Sequence, residues 1–554
     1  MLYCIYKKSL TLYKKLQKAL IYICLVLLST QCAQITPLTG GKKDTTPPKA
    51  IRFIPANTSL NFNSKIIEIE FDEYIALKDI AGQFIITPQT KVNPEIETAG
   101  KKLKIIFSDS LLPNTTYKLA FGNAITDINE SNVLQNFEYI FSTGTSIDSL
   151  KLSGQVNYAF DKNAASQILV GLYDINSKDS VIFKNKPLYI SKTNAAGIFK
   201  FNYLPNSSYK IVAIKDDNKN LLYDGSEEQI AFLNEFVNAN DTNTINLALS
   251  KEIPTKNYVK KVFAPTYGKV YVIYNKPQFD IINVTADGLS NYNINNLKDT
   301  ITLYYHQKYD TLVTYISYES KKMDTLNIKI ISKNTYEKQK STIKYNLETN
   351  TKTTLPYYQF PTFETNVSFK SNNLVDEKII LIEKIDSITK KPAIKIMRNT
   401  GWTNKFEVQY NFKPEASYTL TIEKGAITDK ELRLNDSISY QFKTTLVDDY
   451  ATLKLKLLFP RKENYLVMLL NSKFQIVDER SENFSLSTAS DKILEYKNLP
   501  AGNYFIKVVE DANKNRVFDV GNYFLRQQPE KVFVNTTPIK LLAGWEIENE
   551  WIIQ

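Results

Sequence analysis

The sequence predicts an all-β chain, a tandem array of β-sandwiches after an N-terminal signal helix. Three observations predict it. First, runs such as "SKIIEIEFDEY" set Ile67, Ile69 and Phe71 against Glu68, Glu70 and Asp72, the period of two that marks a half-buried strand. Second, Tyr and Phe number 35 and 29 in 554 residues, and β-branched residues are frequent, as pleated surfaces favour. Third, the chain repeats itself twice. Leu111–Gly144 aligns with Phe412–Thr445, sharing a Pro turn, a strand opening at Tyr117 or Tyr418, and the tetrad "AITD". Tyr203–Phe232 aligns with Asn498–Glu530. At roughly 100–200 residues per domain, the length calls for several domains.

Residues 1–31 read as an export signal. Lys7, Lys8, Lys14, Lys15 and Lys18 form a basic leader without acidic residues, followed by the apolar core Ala19–Leu28. About ten apolar residues suit a signal peptide and fall short of the roughly twenty a spanning helix needs. The run Ser29-Thr30-Gln31-Cys32 stands where a lipoprotein signal is cut, although Gln31 fits its small-residue position poorly. Cleavage there would leave Cys32 N-terminal and lipid-bearing; an uncut anchor is the alternative. Residues 32–48 form a tether containing Pro37, Gly40-Gly41 and Pro47-Pro48, which at ~3 Å per extended residue reaches about 50 Å.

Five sandwiches are expected after it, at 49–145, 146–250, 251–350, 351–446 and 447–554. "KKLKIIF", "TTYKLAF" and "NFEYIFSTG" supply strands of the first, separated by turn signals such as Pro113-Asn114. "GKVYVIYNK" and "DTLNIKIISKN" supply strands of the third. With Cys4 and Cys24 in the leader, Cys32 is the sole cysteine left. No internal disulfide can form, and core packing must hold each sandwich.

Composition narrows the function classes. The leader lysines carry five of the formal +11 charges, and the remainder are scattered, without the concentrated basic face that nucleic acid requires. His306 is the single histidine, so a two-histidine zinc site is impossible within one chain. No G-x-S-x-G, H-E-x-x-H or P-loop pattern occurs. The chain is therefore expected not to be an enzyme, with a carboxylate-dependent hydrolase as the remote alternative.

The segment from Pro48 to Gly144 resembles the bacterial Ig-like domain of S-layer type. "LSGQVNYAF…NAAGIFKFNYLPNSSYKIVAIKDDN", with Gly197, Phe199, Phe201, Leu204 and Tyr209, resembles the carboxypeptidase-regulatory, transthyretin-like (prealbumin-like) sandwich. Asn206-Ser207-Ser208 occupies that family's usual glycine turn, whereas the C-terminal copy keeps Gly502 before Tyr504. With the Cys32 tether, the whole is similar to Ig-like-domain lipoproteins of the Bacteroidota. That resemblance implies an outer-membrane lipoprotein of the cell envelope, on its periplasmic face or at the cell surface, and it implies no defined activity.

One pattern could bind a metal. Counting Asp216 as position 1, Asn218, Asn220, Asp224 and Glu227 fall at 3, 5, 9 and 12, with the Leu222 carbonyl at 7. That is the spacing of an EF-hand-type Ca²⁺ loop. The second copy runs Asp511, Asn513, Asn515, Val517 and Asp519, with Asn522 at 12. The position-6 glycine is replaced by Leu221 and Arg516. The plainer alternative is an Asp/Asn-rich turn that caps its own N–H groups. Trp402, Trp545 and Trp551 could stack on sugars, although the alternation "GWEIENEWIIQ" places Trp545 and Ile547 on one packed face. The expectation is a rod-like string of sandwiches tethered to the membrane by lipid, serving as scaffold, spacer or adhesion module for envelope proteins. The alternative is a glycan-binding lipoprotein; Ca²⁺, if bound, is structural.

Overall fold

The computed structural model describes residues 13, 15–20 and 43–553, apart from 242, 255, 279–280, 295–298, 307–308, 319–322, 333, 335–342, 344, 348–352, 386–387, 430–432, 462 and 484–490. Cys32, and the leader's apolar core beyond Leu20, lie outside the described residues. Among the described residues no helix is long and apolar enough to cross a membrane. The chain divides into two compact units: Met1–Ile86 with Val92–Leu111 and Lys118–Phe141, and Thr87–Lys91 with Leu112–Tyr117 and Ser142–Gln554.

The first unit is built on a four-stranded sheet ordered Ala50–Ile54, Ile66–Phe71, Lys102–Ile106, Glu95–Ala99. The alternation read from the sequence holds here: Ile67, Ile69 and Phe71 are fully buried, and Leu103, Ile105, Phe121 and Tyr139 join them in the core.

Four sandwiches fill the second unit. Two are Ig-like neighbours in sequence, with cores centred on Val270, Val272, Ile301 and Leu312 and on Phe363, Phe406, Leu420 and Ile422. The other two carry the second repeat and share a topology. In each, the opening strand (Leu150–Tyr158 or Tyr450–Leu458) pairs parallel with the closing strand (Ile245–Lys251 or Glu546–Ile552). In each, the repeat's central strand (Ser208–Ile214 or Gly502–Glu510) pairs antiparallel with the strand that follows the opening one (Leu169–Asp174 or Asn464–Leu470).

Repeated residues hold repeated corners. The Tyr117 hydroxyl accepts the Leu112 N–H at 2.8 Å, and the Tyr418 hydroxyl accepts that of Lys413 at 2.9 Å, a corner familiar from immunoglobulin sandwiches. The "AITD" aspartates are structural as well. Asp127 accepts N–H bonds from Glu130, Ser131 and Asn132, and Asp429 accepts one from Arg433 at 2.9 Å.

The two sandwiches that carry the second repeat touch each other directly although 271–347 residues separate the contacting positions. Contacts between successive sandwiches alone could not produce this.

Candidate functional site

Each sandwich of the second repeat carries its Asp/Asn loop at the same place, directly after the central strand. Asp216–Asp224 joins Ser208–Ile214 to Gln229–Phe232, and Asp511–Asp519 leaves Gly502–Glu510 toward Val532–Leu541. The two loops have the same internal bonds. The position-1 aspartate accepts the N–H groups of positions 5 and 6: Asn220 at 3.1 Å and Leu221 at 2.9 Å, or Asn515 at 3.1 Å and Arg516 at 3.0 Å. Position 5 accepts the N–H of position 7, Leu222 at 2.7 Å or Val517 at 2.8 Å. Both asparagine amides converge on the position-9 aspartate: Asn218 and Asn220 on Asp224 at 2.5 and 3.0 Å, Asn513 and Asn515 on Asp519 at 2.5 and 2.9 Å.

The missing glycine does not change the path of the chain. Leu221 and Arg516 take the left-handed conformation that position 6 demands, with φ of 63° and 62°, and Lys219 and Lys514 do so at position 4, with φ of 60° and 63°. A side chain there costs roughly 1–2 kcal/mol relative to the right-handed region, so the loop's bonds hold it in place.

Position 12 is the main correction. Glu227 is exposed, at the end of the short 3₁₀ turn Gly225–Glu227. The next residue, Glu228, faces the loop instead. Its Oε2 accepts the Asp224 N–H at 3.0 Å. Glu228 is only 5% exposed, and the Asp217 N–H is a second backbone donor to its carboxylate. Burial raises its pKa, with the charges of Asp224 and Asp216 adding to it, against the N–H bonds of Asp224 and Asp217.

The second loop has its glutamate too, from a position the spacing could not reveal. Glu530, eleven residues beyond Asp519, accepts the Ala512 N–H at 3.0 Å through Oε1 and the Asp519 N–H at 3.0 Å through Oε2. Burial, reinforced by the charges of Asp519 and Asp511, pushes its pKa up to about 7 against the pull of those two bonds. Asn522 belongs elsewhere, its Oδ1 accepting the Leu525 N–H at 3.0 Å. Among the described residues no three His, Cys, Asp or Glu side chains are grouped to hold a metal by themselves. The donor set here is mixed, carboxylate with amide and carbonyl oxygen, which suits a hard cation.

The excursion between Asp519 and Glu530 forms the lock between the two sandwiches. Tyr523, 8% exposed, enters a cluster of Tyr173, Val212, Tyr223, Ile230 and Phe232 on the outer face of the first partner. Its ring meets that of Phe232 edge-on at 5.2 Å, and Phe524 stacks on Phe183 at 5.3 Å. The backbone is held as well: Gly521 donates to Ser250 Oγ at 3.2 Å, Tyr523 donates to Glu252, and the Arg526 carbonyl accepts from Asn234 at 2.9 Å. In return Phe160 packs over Leu466, Met468 and Val509 of the second partner. Lys507, 5% exposed, sits 3.7 Å from the Phe160 ring centre and pairs with Asp161 at 2.6 Å. Beside the lock lies a recess of about 30 Å³, bordered by Asp179, Lys210, Phe232, Tyr523 and Arg526, with room for about one water.

The tryptophans separate. Ile547 and Trp551 pack on the last core, but Trp545 lies in the turn before the strand Glu546–Ile552 and is 61% exposed. It does not share Ile547's packed face as the alternation suggested. The side chain of Trp402 lies outside the described residues. His306 follows the strand Thr300–Tyr305, its Nδ1 3.1 Å from the Tyr267 hydroxyl.

A search of the curated proteins gave no match. Solved structures similar to the chain include the S-layer protein rSbsC(31-844), at 11% identity over 90% of this chain and 68% of that one, TM-score 0.15. The Bacillus anthracis TIE protein is 12% identical over 93% and 76%, TM-score 0.13. The Bacteroides ovatus glucan-utilization protein SGBP-B, solved with a mixed-linkage heptasaccharide, is 8% identical over 74% and 93%, TM-score 0.19. At these scores the backbones do not superpose as wholes. Residues 44–143 match the family model of a bacterial Ig-like domain, the segment whose resemblance to that domain the sequence displays.

Proposed function

We infer that the chain is a non-enzymatic scaffold or adhesion module of the cell envelope, anchored by lipid at Cys32. The observation that supports the scaffold reading best is the lock between the two transthyretin-like sandwiches. A string of sandwiches joined only by linkers leaves each one free to turn. Here Tyr523 and Phe160 are each received by an apolar cluster of the other sandwich, which fixes the orientation of the pair and suits a part that must keep a distance. The recess beside the lock is far smaller than the roughly 300–1,000 Å³ of a small-molecule site. The bacterial Ig-like match at 44–143 agrees with a place outside the cytoplasm.

Metabolic labelling with an alkyne fatty acid tests the anchor. Wild type should take label and Cys32→Ser should not, and protease shaving of intact cells then distinguishes the surface from the periplasmic face. Wild type without label would overturn the lipid anchor.

A further inference from the structure

We propose that the four sandwiches of the second unit close into a circuit of contacts, and that freeing a joint far from the lock releases it. The third and fourth sandwiches meet through a polar joint. Lys269 and Tyr304 of the third face Glu364 and Asn404 of the fourth. Glu364 Oε1 accepts from Lys269 Nζ at 3.0 Å, from the Tyr304 hydroxyl at 3.3 Å and from the Asn404 amide at 2.9 Å. That amide also donates to the Tyr304 oxygen at 2.8 Å. Tyr304 is 3% exposed and Asn404 6%. Turning one sandwich on the other would strand a carboxylate and its donors without partners in a site largely withdrawn from water. That is costly, so the joint is stiff.

The fourth and last sandwiches meet through tyrosines. The Tyr357 hydroxyl donates to Asn498 Oδ1 at 3.0 Å, and the Tyr358 hydroxyl to the Asn498 carbonyl at 3.1 Å. Both rings stand edge-on to Tyr450, the first residue of the last sandwich's opening strand, at 6.1 and 5.1 Å. Between the second and third sandwiches runs the chain itself, from Lys251 to Val259. The residues between them reach at most about 25 Å.

A short linker and two joints therefore lead from the second sandwich round to the last, and the lock closes the circuit. A freely turning chain of the 271 residues from Ser250 to Gly521 would meet its own end with odds lowered by the 3/2 power of its length, roughly 10³–10⁴-fold. Stiff joints avert most of that loss, because they present Tyr523 to its cluster already in place. A joint that is freed returns the loss to the lock. The inference rests on the lock and not on the lipid anchor, so fatty-acid labelling and the experiment below can fail separately.

Hydrogen exchange of the full chain tests it at the Gly521 and Tyr523 amides, which donate across the lock to Ser250 and Glu252. Glu364→Gln alters the joint between the third and fourth sandwiches and touches neither side of the lock. It should quicken both amides about tenfold or more. Glu383→Gln is the control for a weakened fourth sandwich, since that buried carboxylate is bonded within it by Tyr410, Tyr418 and Lys413; it should leave both amides unchanged. Unchanged amides in Glu364→Gln, or equal quickening in Glu383→Gln, would overturn the proposal. Should Glu364→Gln fail to fold, Tyr357→Phe combined with Tyr358→Phe removes the hydroxyls of the other joint and keeps its rings. The same quickening is expected there, and unchanged amides overturn the proposal equally.

Discussion

Removing the Tyr523 ring should open the lock, and its cost can be worked from the contacts. The ring is 8% exposed and joins an apolar cluster of seven buried residues contributed by the other sandwich. Truncating a buried aromatic to Ala costs about 3–5 kcal/mol, the lower end where the surroundings can close on the cavity. A docked segment at an interface is such a place, so Tyr523→Ala should cost about 3 kcal/mol, or two orders of magnitude in the population of the undocked segment at 1.4 kcal/mol per decade. Trypsin reads that population at the bond after Arg526. In the closed state the Arg526 carbonyl accepts from Asn234 and the Gln527 N–H bonds Asn522, so the protease must await undocking. When reclosing outpaces cleavage, the rate follows the open fraction. The cut at Arg526, followed by mass spectrometry, should therefore quicken about a hundredfold in Tyr523→Ala. Phe524→Ala removes a ring stacked on Phe183 but 59% exposed; it should quicken the cut only a few-fold, in line with ~0.5–1.5 kcal/mol for an aromatic pair. A change below threefold in Tyr523→Ala would refute the reasoning, because the segment would then be held by its linkage alone.

Three further outcomes follow from the same contacts. Arg516→Gly should raise the melting temperature of the last sandwich, because relief of a left-handed Arg, roughly 1–2 kcal/mol, exceeds the ~0.5–1 kcal/mol that glycine loses by its freedom when unfolded; a lower melting temperature would show that the arginine side chain contributes contacts of its own. Asp161→Ala should destabilise by about 1–2 kcal/mol in chemical denaturation, since Lys507 stays buried with only the Phe160 ring to meet its charge, whereas Lys507→Met should cost less, the reverse of what a simple count of contacts gives. The Lys210 hydrogen bond, followed by that of Arg526, holds the Asp179 carboxyl below its ordinary 3.8, burial opposing. A lowered folded pKa contributes stability that is complete above 3.8 and is lost as the pH falls through the folded value. A carboxyl-carbon NMR titration should place Asp179 higher in Arg526→Ala than in wild type, and equal values would remove Arg526 from the account.

The fold was legible wherever one face of a strand is wet. Ile67, Ile69 and Phe71 alternate with acids because only one side of Ile66–Phe71 is buried, and period two then survives in the sequence. The twin loops were legible because their Asp and Asn residues are local, with Asp216, Asn218, Asn220 and Asp224 held within nine residues. Their glutamates were not. Glu228 stands one position past the expected one, directly after the 3₁₀ turn Gly225–Glu227, and Glu530 is displaced by the docking excursion, whose end no fixed spacing can mark.

The lock itself left a trace that alternation obscures. A sandwich strand with one wet face shows polar residues at every second position, but Asn464–Leu470, "NYLVMLL", is buried at all seven positions, and Leu169–Tyr173, "LVGLY", at all five. A continuous apolar run is the mark of a strand covered on both faces. Tyr465, Val467 and Leu469 belong to the sandwich's own core, while Leu466, Met468 and Leu470 point the other way into the cluster that receives Phe160. On the partner, Val170 and Leu172 face inward, and Tyr173 faces the cluster that receives Tyr523. Two strands at equivalent places in a repeated unit, each too apolar for a single core, require a second apolar layer over each. The layers they receive are segments of one another's sandwiches, so the repeat that makes the two units alike also makes them complementary.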